Sequence, residues 1–198
     1  LVEQERQGLW FLNNGHDWLN QGSSAFTHDL PRAGRPADAP VELTDMWGYM
    51  DSQETVGISN EMFGEFIFPY YQRVASRFGL LSYGCCEPVH PIWKEYLSTM
   101  SNLRKVSISA WCDETYMGEA LRGSRTIFLR KPSPMDIGLP GPLDEEKLAG
   151  QFRATLQAAR GCKLEFAFRD IYSLGGVPGK PRRMVEILRR EIDRHWKG

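Results

Sequence analysis

Apolar residues recur along this chain with two different periods. Lys105 to Ala110 (KVSISA) sets Val106, Ile108 and Ala110 against Ser107 and Ser109. Residues 162–168 (CKLEFAF) alternate in the same way, and both are strand patterns. The runs 80–84 and 125–130 (RTIFLR) read as two further strands, and 44–53 (TDMWGYMDSQ) as a strand or extended segment. Between them the spacing becomes helical. Ser59 stands as an N-cap before Met62, Phe63, Phe66, Ile67, Tyr70, Val74 and Phe78. That aromatic stripe is expected in the core. Pro69 is expected to kink the helix, and Gly79 to stop it. A second helix is expected from Pro91 to Met100, and a third from Asp113 to Leu121. A fourth over 144–160 would bury Leu148, Phe152, Leu156 and Ala159. A fifth over 181–196 would turn Met184, Ile187, Leu188, Ile192 and Trp196 inward.

The order is five strand–helix units, which predicts an α/β fold with a parallel sheet and right-handed crossovers. Five units are too few for a closed eight-stranded barrel. They fit the C-terminal portion of a (β/α) barrel or an open sheet, and in either the chemistry belongs at the strand C-termini. Upstream, residues 2–13 read as a helix and 14–43 as a long Gly- and Pro-rich loop. The chain thus divides at 43/44. His16, Asp17, His28 and Asp29 fall in that loop. They could ligate a metal, but their spacing matches no tight motif, and a polar surface loop is the preferred reading.

Composition narrows the function classes. Net charge is −1, from 24 Lys+Arg and 25 Asp+Glu, so neither a nucleic-acid surface nor an electrostatic membrane contact is expected. The C-terminal arginines are interleaved with acids, as on a solvated helix face. There are four cysteines, Cys85, Cys86, Cys112 and Cys162. Adjacent cysteines rarely bond to each other, and this is no disulfide framework, so reduced thiols and a cytoplasmic protein are expected. No membrane span and no signal-peptide pattern stand out. The chain opens on Leu1 rather than Met, which suggests an upstream portion.

The strand ends carry the candidate chemistry. In order they give Trp47 and Asp51; Tyr83, Cys85, Cys86, Glu87 and His90; Trp111 and Cys112; Lys131; and Arg169 with Asp170. One reading is a zinc site built from Cys85 or Cys86 with Cys112, His90 or Glu87. Another is a reactive thiolate lowered in pKa by Lys131 or a helix N-terminus. A third takes the cysteines as small buried hydrophobes. For the Cys-Cys-Glu turn as a whole, function is preferred. Asp170 ends an apolar strand and must be hydrated, paired or employed; Arg169 or Lys131 could pair it. Lys131 could bind an anionic group or be a solvated rim lysine. Lys163 and Glu165 share a strand face and are read as an ion pair. No GxGxxG, P-loop, HExxH or GxSxG motif is present.

The run ISNEMFGEFIFPYYQRVASRFGLLSYGCCEPV resembles the uroporphyrinogen decarboxylase superfamily, which includes the cobalamin-dependent methyltransferases. Ser59, Glu61, Phe63, Glu65, Phe66, Pro69 and Tyr70 carry the likeness to its S-P-E-x-F-x-E-F-x-x-P-Y helix. The runs NLRKVSISAWCDETYMGEAL and GGVPGKPRRMVEIL fit more loosely. The resemblance implies the C-terminal portion of a TIM-type barrel over about residues 44–195. For the methyltransferases it implies zinc on one His and two Cys, and a corrinoid on a partner protein. Here Tyr83 stands near the His position, Cys85 near the first Cys, and Leu174 near the last Cys. The decarboxylases' Asp and Arg lie in an N-terminal part that this chain lacks, and their last-loop His has no match near Ser173 and Leu174. The chain therefore resembles a divergent branch.

Three functions follow as expectations. The first is methyl transfer with a corrinoid partner through a zinc-thiolate at Cys85/Cys86, with His90 and Cys112 as further metal candidates. The second is decarboxylation of a tetrapyrrole, for which Lys131, Arg169 and Asp170 could supply the cations and the proton donor. The third is a non-catalytic tetrapyrrole-binding or truncated barrel. Its exposed strand edges would favour a homodimer or association with a missing N-terminal half. Whichever reaction is carried out, Asp170, Glu87 and Lys131 are the catalytic candidates and Trp47, Asp51, Tyr83, Trp111 and Arg169 the substrate-binding ones.

Overall fold

Two compact units make up the chain in the computed structural model, which describes residues 36, 38–53 and 56–196. The helix expected at 2–13 lies outside the described residues, as do His16, Asp17, His28 and Asp29. The first unit holds the described residues up to Tyr83 together with Ile92–Arg104. The second holds Gly84–Pro91 and the chain from Lys105 onward.

In the first unit β1 (Trp47–Met50) pairs in parallel with β2 (Leu80–Tyr83), Trp47 opposite Leu80 and Met50 opposite Tyr83. Gly48 lets the ring of Phe78 lie on the strand; a Cβ there would meet the ring at 2.7 Å. Ser59 caps α1 (Asn60–Met62) through its hydroxyl, which accepts from Met62 N–H at 3.2 Å. A π-helical turn (Phe63–Ile67) leads directly into α2 (Phe68–Ala75). The expected kink thus takes the form of a wider turn. Pro69 has no N–H to offer the carbonyl four residues back, and Phe68 N–H reaches Phe63 O instead.

The wider turn also splits the aromatic stripe. Phe63 is buried among Phe68, Tyr71 and Tyr96, with ring centroids 5.5–6.4 Å away. Met62, Phe66 and Tyr70 face solvent, contrary to the expectation of an all-core stripe. The helix stops at Ala75 rather than at Gly79. Asn102 closes its end, donating to the carbonyls of Ala75 and Phe78 at 2.8 Å each. The helix expected over 91–100 is short, α3 (His90–Trp93), followed by a 3-10 turn at Leu97–Thr99. Ser98 and Thr99 hydroxyls donate back to Lys94 O and Tyr96 O, a local bonding that competes with a continuing helix.

In the second unit, β3 (Leu103–Ile108, of which the part from Lys105 belongs here), β4 (Ile127–Arg130) and β5 (Lys163–Phe166) run parallel. Ile108 lies opposite Arg130, and Arg130 opposite Phe166, so the three C-terminal ends share one edge. Asp113 caps α4 (Glu114–Leu121) and Asp144 caps α6 (Glu145–Ala158), each side chain accepting a backbone N–H three residues on. A short α5 (Met135–Gly138) forms in the loop after β4, and α7 (Lys180–His195) closes the chain. The core of this unit joins Ile137, Leu148, Phe152, Met184, Ile187 and Leu188. Phe152 meets Phe166 edge-on at 5.8 Å. Burying such a ring contributes about 2–3 kcal/mol. Glu165 pairs with Lys105 of β3 at 2.8 Å; its ion-pair partner is thus found across β4 rather than at Lys163. No helix among the described residues is long and apolar enough to cross a membrane.

Candidate thiol and carboxylate site

The loop after β2 is shaped from below by β3. Gly84 sits at φ 96, a conformation that favours glycine, and a Cβ there would meet Ser107 at 3.1 Å and Val89 at 3.2 Å. Ser107 donates its hydroxyl to Cys85 O at 2.9 Å, and Ser109 to Glu87 O at 3.3 Å. Glu87 is buried, and its carboxylate accepts Cys85 N–H at 2.9 Å. The serine face of β3 and the Glu87 side chain therefore hold the Cys-Cys-Glu turn in place. The alternation of β3 is visible in the sequence, but both its faces are buried, which hid the role of the two serines.

Three donors meet above this turn. Cys85 Sγ lies 3.7 Å from Cys86 Sγ, and Cys86 Sγ lies 3.6 Å from Asp170 Oδ2. All three ligating atoms fall within 4.8 Å of one another, so the group could hold a metal ion. Asp170 reaches it from the segment after β5, where its backbone adopts φ 60. Asp tolerates that left-handed conformation better than most residues, at a cost of about 1 kcal/mol. Burial, then the neighbouring Cys85 thiol and the Asp170 carboxylate, push the Cys86 thiol up to about 11. Cys86 is thus a thiol at neutral pH, the opposite of a thiolate lowered by a nearby cation.

A cavity of about 50 Å³ opens beside the cluster. Cys85, Cys86 and Asp170 line it, with Lys131 and Arg169 on its wall and Ala110, Trp111, Pro132 and Pro134 giving an apolar side. Lys131 follows β4 and is buried. Its ammonium donates to Gly84 O at 3.2 Å and Cys85 O at 3.4 Å. Burial pulls its pKa down, and the Arg169 cation adds to that; Cys85 foremost, then Cys86 and Glu87, act in the other direction. The expected pairing of Asp170 with Lys131 does not form, since the ammonium is turned to carbonyls and Asp170 to a thiol.

The remaining candidates lie elsewhere. Glu87 serves the turn and does not line the cavity. His90, at the start of α3, accepts Asp113 N–H on Nδ1 at 3.2 Å and faces Tyr116. Cys112 is buried, and that burial pushes its thiol up. Neither joins the Cys85–Cys86–Asp170 group. Trp47, Asp51 and Tyr83 belong to the first unit; Asp51 accepts Tyr49 OH at 3.0 Å, and Tyr83 is fully buried with Tyr71 6.3 Å away. Trp111 and Arg169 do line the cavity. Comparison of the chain with protein-family models, with curated proteins and with solved structures gives no match.

Proposed function

We propose that Cys85, Cys86 and Asp170 form a zinc-thiolate site that activates a small substrate for methyl transfer, in a divergent branch of the uroporphyrinogen decarboxylase-like barrels. The observation that carries this is the spacing of the donors. Tetrahedral zinc, with bonds of about 2.3 Å to sulfur and about 2.0–2.2 Å to oxygen, has S–S edges of about 3.8 Å and S–O edges of about 3.6 Å. The two contacts at 3.7 Å and 3.6 Å match those edges. Three protein ligands leave the fourth position open, as catalytic zinc requires. Bound there, zinc keeps a coordinated substrate thiol deprotonated and nucleophilic.

The chain's own residues do the rest. Ser107, Glu87 and Lys131 fix the turn that carries the two thiols. Asp170 takes the third ligand place in a set that the resemblance would fill with a His and two Cys. Trp111, Pro132 and Pro134 give one side of the cavity an apolar lining. A methyl group fits a cavity of about 50 Å³, whereas a tetrapyrrole is far larger. The methyl donor or acceptor is then a corrinoid presented by a partner protein, as the resemblance implies. The test is loss of the methyl group from methylcobalamin in the presence of small thiols, read by the cobalamin spectrum. Zinc-loaded wild type should support it and Cys85→Ser/Cys86→Ser should not. Equal rates in both, or none in zinc-loaded wild type with a panel of thiols, overturn the methyl-transfer reading.

A further inference from the structure

Lys131 has a feature that the metal reading does not use. The residue is buried, 8% exposed, and among the described residues its ammonium forms no ion pair. A lysine has three N–H donors, and here two carbonyls at 3.2 Å and 3.4 Å take two of them. Buried charges are ordinarily paired, because an isolated ammonium in an apolar setting is costly. Lys131 is one of the residues that line the cavity, and among the described residues no third acceptor meets its ammonium. Arg169 adds a second cation to the same wall.

We propose that this cavity contains an anion subsite at Lys131 for a small monocarboxylate, alone or as the acid end of a substrate. Three observations set the class. A volume of about 50 Å³ holds a carboxylate with one or two carbons and little more. Trp111, Pro132 and Pro134 offer apolar contact to those carbons. Asp170 on the same wall repels a second negative charge, which disfavours phosphate and other dianions. The inference stands apart from the metal reading, and its test contains no metal.

The exposed Cys86 thiol is the reporter. The chelator-treated full chain is alkylated at pH 9 with iodoacetate, an anion, and with iodoacetamide, its neutral counterpart. Modification at Cys86 is followed by mass spectrometry, and each rate is divided by that of N-acetylcysteine. The subsite predicts that iodoacetate is favoured over iodoacetamide by on the order of fivefold to tenfold in wild type. Lys131→Met should abolish this preference and Lys131→Arg should retain it. Acetate should slow the iodoacetate reaction saturably in wild type alone. An unchanged preference in a folded Lys131→Met protein overturns the proposal. If that variant does not fold, absence of saturable acetate protection in wild type overturns it.

Discussion

The end of β1 and the ends of β4 and β5 behave in opposite ways. After β1, in the first unit, the polar groups close on one another. Tyr49 donates to the Asp51 carboxylate at 3.0 Å, and Tyr71 donates to Asp51 O at 2.6 Å. In the second, the ends of β4 and β5 and the Cys-Cys turn leave their chemistry around a cavity. Two thiols and a carboxylate lie at ligand spacing, and the buried Lys131 has no ion-pair partner among the described residues. Both units use parallel strands followed by helices. A strand C-terminus is therefore only a permissive place for function. The site is where donors from several strand ends converge without satisfying one another.

The largest expected effect concerns pH. Cys86 holds its proton up to about 11, and a metal must displace it. Apparent zinc affinity should rise at least about tenfold per pH unit, or about a hundredfold from pH 6 to 8, measured by competition with a chromogenic chelator. A flat profile would mean that the thiols are not the ligands. Next, Asp170→Asn should weaken metal binding by about 10- to 100-fold with the two thiols intact, since one charged ligand is lost. Unchanged affinity would remove Asp170 from the set. Ser107→Ala should cost about 0.5–1.5 kcal/mol in urea unfolding, because Cys85 O would lose its hydroxyl donor and keep only the longer bond from Lys131. It should also loosen metal binding several-fold. The smallest effect belongs to the first unit. Asp51→Asn keeps an acceptor for Tyr49, so it should shift stability by no more than about 0.5 kcal/mol and leave metal affinity unchanged. Loss of metal in that variant would erase the contrast between the units.

Much of this was legible in the residues. The alternation in 105–110 and 162–168 marked β3 and β5, and Asp113 and Asp144 marked two helix starts, because caps and periodicity are local properties. Cys85, Cys86, Lys131, Arg169 and Asp170 were all placed at strand ends, and the cavity gathers all five. What did not show was pairing at a distance. Cys86 meets Asp170 across 84 positions of sequence, and no spacing rule connects them. His90 and Cys112 stood nearer in sequence, yet His90 is engaged with Asp113 N–H and Cys112 is buried apart from the group. The exposed half of the aromatic stripe was hidden for another reason. An α-helical period assigns Met62, Phe66 and Tyr70 to one buried face, and the π turn before Pro69 breaks that period.

Cys85, Cys86 and Asp170 are proposed to bind one divalent metal in a tetrahedral arrangement. Cobalt(II) titration of the chelator-treated full chain tests it most directly. One equivalent should bind, with the intense visible bands of tetrahedral cobalt and a near-ultraviolet thiolate-to-cobalt band. That second band should disappear in Cys85→Ser/Cys86→Ser and persist in Cys112→Ser. Pale octahedral cobalt in the wild type, or a thiolate band that survives the double substitution, would contradict it.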